Sequence, residues 1–377
     1  MRVAPGGTIG VIGGGQLARM LAFEAHSMGY RIAILTPEPS GPAGQVSDIC
    51  IEGALDDVNA AKDLAHQSDV ITIDTEHVPA HVLEQVEAIR PVRPSAQVLR
   101  VVQDRLEQRR FLALHKFPQV QHASLSDAEE LLVAREVVGF PAILKTRRGG
   151  YDGKGQIPVG GPGALAGAWK ELGEAPSVLE SFVDFEKEVS VLLARSLDGE
   201  IRFHPTAENV HRHHILRTTS VPVGVSPELA AQAQEIGAGI ATALDHVGMM
   251  AIEMFVTREG KLLVNEIAPR VHNSGHYTFG ACVTSQFEQH VRAICGLPLG
   301  DPSLLRPVVM LNLLGDLWQE GTPDWGTVLA HPNAHLHLYG KETASPGRKM
   351  GHVLVLDENI ERARSVIESI AADLERK

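Results

Sequence analysis

Hydrophobic residues along this chain fall into short runs separated by Gly-, Pro- and charge-rich stretches, and the period of each run predicts its element. Residues 8–12, 31–35 and 70–74 are near-continuous apolar runs of strand length. Gly13-Gly14-Gly15 follows the first run and opens a helical pattern to about residue 21. Strand, helix and strand in alternation predict a βαβ domain over the first hundred residues. Pro91 and Pro94 break this pattern, and Ser95 is a fitting N-cap for a helix from 96 to about 115. Further on, 141–144, 177–183 and 188–193 read as strands. Residues 251–270 read as a β-hairpin, two β-branched-rich runs around Glu259-Gly260. A helix is expected from 286 to about 296, ended by Leu297-Pro298-Leu299. A last β-rich unit follows, with strands at 308–315, 335–341 and 351–356, and a closing amphipathic helix at 360–374. No internal repeat or low-complexity segment interrupts this order.

A chain of 377 residues has room for two or three domains with substantial cores. Its net charge of −12 argues against nonspecific nucleic-acid binding and against an anionic membrane surface. Cys50, Cys282 and Cys295 are too few and too scattered for a disulfide framework or a zinc site, which fits a reducing cytoplasm. The N-terminal stretch lacks the apolar core of a signal peptide, and no apolar run is long enough to span a bilayer.

Against that acidic background, the stretch from Pro141 to Gln156 stands out. An apolar run delivers Lys145 to a loop containing Gly149, Gly150, Gly153 and Gly155, and Arg147, Arg148 and Lys154 add positive charge. Glycines let such a loop turn sharply and bring several N–H groups onto one phosphate. The spacing is not that of a Walker A loop, and the later signatures of a protein kinase are missing.

Gly13, Gly15 and Ala18 meet the dinucleotide fingerprint, and Glu38 lies where a ribose-binding acid would sit, so a nicotinamide cofactor is an open alternative. Within the hairpin, a two-residue turn at Glu259-Gly260 would pair Arg258 with Lys261 and Glu253 with Glu266. Two carboxylates so placed repel by about 3 kcal/mol at an effective dielectric near 20; a shared proton would offset that, a Mg²⁺ ion sharing nucleotide phosphates answers better, and a pair of edge carboxylates facing water is the plainer alternative. A three-residue loop would slip this register. His211, His213 and His214 lack the partner spacing of a zinc site. Lys341, Arg348 and Lys349 form a basic turn beside a strand, which suits a phosphate and equally a solvated surface.

The string Lys145-Thr-Arg-Arg-Gly-Gly-Tyr-Asp-Gly-Lys-Gly-Gln156 closely resembles the mobile glycine loop of the 5-(carboxyamino)imidazole ribonucleotide synthases, ATP-grasp ligases of purine synthesis. Asn209/His211, the block from Glu253 to His276 and the block from Tyr339 to His352 carry the same resemblance in the same order. His214 departs from it, standing where glycine is usual.

The implied fold is α/β and α+β: a βαβ (Rossmann-like) domain over 1–95, an ATP-grasp small lobe over 96–183, a large lobe over 184–300 and a β-rich C-terminal unit over 301–377. The implied reaction joins bicarbonate to 5-aminoimidazole ribonucleotide with ATP and Mg²⁺, giving ADP and phosphate through carboxyphosphate, in a cytoplasmic homodimer. The resemblance assigns ATP to Arg105, Lys145, the loop residues Gly150 to Gln156 (Tyr151, Asp152, Gly153, Lys154 and Gly155 among them), and the adenine segment Glu180, Ser181, Phe182 and Val183. It adds Glu188 for the ribose, His211 and Asn265 near the nucleotide, and Glu253 with Glu266 for the metal. Gln16, Leu17, Glu76, Tyr151, Asp152, Asn273, Lys341, Arg348 and Lys349 are assigned to the ribonucleotide. Arg270 and His272 serve it and the chemistry together, with Lys154 and Tyr151.

A sister ligase such as the formate-using transformylase of purine synthesis would share the metal acids but differ in the glycine loop. A nicotinamide-dependent dehydrogenase would leave Glu253 and Glu266 without a role. A silent nucleotide-binding protein has no reason to keep both acids and both loop lysines.

Overall fold

A computed structural model describes residues 2–150 and 153–376. Its first unit is a four-stranded parallel sheet in the order Ile49–Glu52, Arg31–Thr36, Thr8–Ile12, Val70–Ile73. The three predicted strands are buried along nearly their whole length, as strands covered on both faces must be. The strand Ile49–Glu52 escaped the sequence reading because it is a short edge with alternating half-exposed positions.

The helix expected over 96–115 is two helices, Ala96–Val102 and Arg105–Leu114. Ser95 caps the first as expected. Asp104, expected to lie on the helix, instead caps the second, accepting from the backbone N–H groups of Leu106 and Glu107. The break has a sequence signature, an Asp followed three residues later by Glu107. The uncapped reading of one long amphipathic run hid it.

The small lobe is a four-stranded antiparallel sheet, His122–Leu125, Ser177–Ser181, Ala142–Thr146 and Gln156–Val159 in spatial order. The glycine loop joins its last two strands. The predicted strand 177–183 ends at Ser181, and the run 188–193 is the middle of a longer strand, Phe185–Arg195.

Among the described residues, the remaining strands form one nine-stranded sheet. It runs from Leu262–Ala268 and Gly248–Thr257 through Phe185–Arg195, Ala207–Arg212 and Ile215–Val221 to Val308–Leu314, Lys349–Leu356 and Ala334–Leu338. Ile201–Phe203 pairs beside Phe185–Arg195. The C-terminal strands have no sheet of their own. They extend the large lobe through the pairing of Ile215–Val221 with Val308–Leu314, and the helix Ile360–Glu375 covers them. A continuous apolar core also joins Leu17 and Met20 of the first unit to Phe287 and Tyr339. Burial of such a core fixes the first unit against the large lobe, which places the ends of the parallel strands beside the Glu253 hairpin.

Candidate functional site

A cleft of about 790 Å³ lies where the three sheets meet. The first unit contributes Gln16, Leu17 and Glu76 to its lining. From the small lobe come Arg105, Lys145, Gly150, Gly153, Lys154 and Gln156. The large lobe adds Glu188, His211, Glu253, Asn265 and Glu266, followed by Arg270, His272 and Asn273. Lys341, Arg348 and Lys349 reach it from the C-terminal strands. Tyr151 and Asp152 lie outside the described residues.

The hairpin reaches its predicted pairing by an unpredicted route. Thr257 N–H donates to the Lys261 carbonyl at 2.9 Å, so the loop has three residues, with Gly260 left-handed at φ 74°. That loop pairs Met254 with Val264, one residue away from the expected register. Asn265 then bulges out, and the register returns so that Glu253 faces Glu266. The expected two-residue turn is therefore wrong, and the expected carboxylate pair is right.

Burial, with the charges of Glu266 and Glu188 behind it, pushes the Glu253 carboxyl up to about 7 against the pull of His211. Such a pair suits a divalent cation. Among the described residues, no set of three His, Cys, Asp or Glu side chains could hold a metal ion. Further ligands for Mg²⁺ would therefore be phosphate oxygens and water, as Mg²⁺ favours.

His211 stands 3.0 Å from Glu188 through Nδ1. Burial opposes its charge, yet Glu188 and Glu253 hold it above the ordinary histidine value. His272 is different: burial and the nearby Arg270 and Lys349 lower it well below the usual range, so it is neutral at pH 7. Its Nδ1 stands 2.8 Å from Ser274 Oγ and 3.3 Å from the Ser274 backbone nitrogen, and its Nε2 stands 3.9 Å from Glu253 Oε1.

Arg270 Nη2 and Nε donate to Glu76 Oε2 at 2.6 and 3.0 Å. This ion pair ties the first unit to the large lobe inside the cleft. Asn273 is buried and exchanges two hydrogen bonds with Asn312. Lys341 donates to the Lys349 carbonyl at 2.6 Å, and burial beside Arg348 and Lys349 pushes it down to about 8. A second cationic group there would be relieved by an anion, so this end of the cleft fits a phosphate.

On the small-lobe side, Lys145 Nζ is 2.7 Å from Glu180 Oε2, and both are buried. Burial works against the Glu180 carboxylate, but Arg109 and Lys145 hold it well below the usual range. Glu180 therefore lies beneath the cleft as a counter-ion. Ser181 and Phe182 N–H groups donate to the Gln121 and Pro141 carbonyls, and from this segment Phe182 lines the cleft. Gly155, left-handed at φ 69°, turns the loop back, its carbonyl accepting from Thr146 N–H at 2.8 Å. Arg105 bridges the glycine loop and the paired acids, 3.4 Å from the Gly150 carbonyl and 3.9 Å from Glu266. His213 and His214 form a two-residue turn with φ 52° and 64°. It abuts the lid, with Gln156 Nε2 3.3 Å from His214 Nδ1.

The nicotinamide alternative fails on the same geometry. Gly15 N–H, at the start of the first helix, donates to Asp74 Oδ2 at 2.7 Å. A Cβ on Gly13 would fall 1.7 Å from Asp74 Oδ1, and one on Gly14 would fall 2.3 Å from Thr36 Oγ1. The slot that would take a pyrophosphate already holds the protein's own carboxylate, an anion where the helix dipole favours one. Asp74, which lines the cleft, and Arg109, which lies beneath it, are among the residues that sequence reasoning missed. The end of a strand pointed faintly to the first, and nothing to the second.

A three-sheet cleft lined by a glycine-rich loop and paired acids is the architecture of an ATP-grasp protein, and the ATP-grasp domain family matches residues 110–287. The ribonucleotide synthetase pre-ATP-grasp domain matches 7–103, and the phosphoribosylaminoimidazole carboxylase C-terminal domain matches 308–366. An N5-carboxyaminoimidazole ribonucleotide synthase of Brucella melitensis is 44% identical over 93% of this chain and 96% of its own. A crystal structure of an N5-carboxyaminoimidazole ribonucleotide synthetase with ADP superposes with a TM-score of 0.92 at 42% identity, over 98% of this chain and 97% of the other. A synthase from Aspergillus clavatus in complex with ADP and 5-aminoimidazole ribonucleotide gives 0.91 at 32% identity, over 98% and 99%. The chain belongs to the N5-carboxyaminoimidazole ribonucleotide synthase family, ATP-grasp ligases of purine biosynthesis.

Proposed function

We propose that this chain carboxylates 5-aminoimidazole ribonucleotide with bicarbonate, converting ATP to ADP and phosphate, with Mg²⁺ held by Glu253 and Glu266. The observation that carries the reading is the facing of Glu253 and Glu266 in a cleft that Lys145, the lid and the Lys341 cluster also line. Bound there, Mg²⁺ would neutralise phosphate charge as it develops.

A bicarbonate oxygen attacks the γ-phosphorus, ADP leaves, and carboxyphosphate forms. The ribonucleotide amine then bonds to the carboxyl carbon and loses a proton, either displacing phosphate from carboxyphosphate or adding to the carbon dioxide left once phosphate has departed. Phosphoryl transfer asks the protein for positioning and charge neutralisation, which Lys145, Lys154 and Arg105 supply. Arg270 offers a guanidinium fork for bicarbonate and carboxyphosphate. Neutral His272, its Nε2 3.9 Å from Glu253 Oε1, orients reactants beside Glu253. The lid excludes the water that would hydrolyse carboxyphosphate. Lys341, Arg348 and Lys349 receive the ribonucleotide phosphate. A homodimer in a reducing cytoplasm completes the reading, which the three free cysteines suit.

The test is ADP production with Mg²⁺, ATP and bicarbonate, with and without 5-aminoimidazole ribonucleotide, for the wild type and Glu266→Gln. Stimulation by the ribonucleotide, lost in the variant, is expected. Unstimulated turnover by intact protein would overturn the substrate assignment.

A further inference from the structure

Arg109 touches nothing in the cleft, yet it is one of the most enclosed side chains of the protein, 2% exposed. It sits on the helix Arg105–Leu114, one turn beyond Arg105. Its guanidinium has three partners. Nε donates to Glu180 Oε1 at 2.7 Å, Nη1 to the Val264 carbonyl at 2.9 Å and Nη2 to the Asn265 carbonyl at 2.9 Å. The first partner belongs to the small lobe, and its other oxygen holds Lys145. The other two are the bulge that turns Glu266 to face Glu253.

A guanidinium is planar and presents its donors in a fixed fork, so these partners are held at fixed mutual positions. The bulge needs such a partner, because the extra residue of a β-bulge falls outside the ladder and its backbone groups must bond elsewhere. Charge matters as well. Glu180 alone would neutralise Lys145. With Arg109 sharing the carboxylate, the buried group holds two cations and one anion, and the surplus positive charge is available to a nucleotide phosphate above Lys145.

We propose that Arg109 is a positioning residue that sets the phosphate-binding lysine Lys145 and the metal-binding acids Glu253 and Glu266 in one geometry. It does so by clamping Glu180 and the Asn265 bulge with a single guanidinium. The inference deepens the proposed function and rests on its assignment of Lys145 and the two acids.

The test compares wild type with Arg109→Lys and Arg109→Gln. Arg109→Lys keeps the buried positive charge, so folded protein is available even if the neutral variant unfolds. Three quantities are read: thermal unfolding, calorimetric binding of ADP with Mg²⁺, and ADP production with ATP and Mg²⁺ varied separately. Loss of a residue that orients metal ligands weakens metal affinity or activity by roughly 10–100-fold. By that factor kcat is expected to fall, and the Mg²⁺ concentration giving half-maximal binding of ADP to rise. The KM for the ribonucleotide, which is read at the distant Lys341 end, should stay within about twofold. A purely structural residue would instead lower the melting temperature while leaving kcat per folded site and Mg²⁺ dependence unchanged, and that result would overturn the proposal. Failure of the wild type itself to bind ADP with Mg²⁺ would instead remove the functional reading underneath.

Discussion

Glu253 faces Glu266 across a hairpin whose own turn sets them one residue out of register, and the bulge at Asn265 restores the pairing. Two acids in that relation repel, and burial raises Glu253 further. Glu266 is half exposed on its side chain, so its charge can be removed without leaving a buried group unpaired. Glu266→Gln should lower kcat on the order of 100-fold. Its unfolding free energy should stay within about 0.5 kcal/mol of wild type, as for other exposed substitutions. Turnover and denaturant unfolding on the same preparation check both.

The raised Glu253 value fixes the sign of two pH effects. Metal binding needs the carboxylate, so affinity for ADP with Mg²⁺ should fall below pH about 7, by roughly tenfold per unit, and level off above it. Without metal, the native state keeps a proton between pH 4.5 and about 7 that the unfolded chain has released. Stability due to this group therefore declines as pH rises through that window. Glu253→Gln removes the effect, so at pH 8 without metal the variant should exceed wild type by about 1–3 kcal/mol. Calorimetric titrations at several pH values, and unfolding of both proteins at pH 5 and 8, measure it.

Glu180 is the carboxylate that Arg109 and Lys145 share, and all three are buried. Removing one partner of a buried ion pair leaves the other uncompensated, which costs about 3–5 kcal/mol. Glu180→Ala should lose stability by about that amount, with m-value unchanged and midpoint lowered, and its nucleotide binding should weaken too. Loss of binding without loss of stability would contradict the counter-ion role.

The lid and the His213–His214 turn meet closely. Gly153 is left-handed at φ 82°, and a Cβ there would approach His214 Cβ at 2.6 Å. Gly153→Ala therefore meets both backbone strain and a clash. Left-handed strain of about 1–2 kcal/mol corresponds to roughly 5–30-fold in the closed-lid population. Adding His214→Gly removes the clash but not the strain, so kcat should recover in part. Full recovery or none in the double variant would show that one of the two effects is absent.

Legibility of this protein in its sequence followed the range of the interactions. Local features were readable: the apolar runs of the parallel sheet, the Ser95 cap and the glycine loop after Lys145, because propensity and turn chemistry act within a few residues. Paired acids in the hairpin were readable too, though by a turn of the wrong length, since the bulge that corrects it has a non-local cause. Asn265 is held out by Arg109, which is 156 residues away in the chain. The same holds for Asp74, which fills the Gly13–Gly15 turn from 59 residues away and converts an apparent dinucleotide site into an internal anchor. Sequence determined which strands and caps form and which charged residues are available. Tertiary packing alone decided which of those charges face the cleft and which, like Glu180 and Arg109, are buried beneath it, because a buried charge is stable only where folding brings its partner within reach.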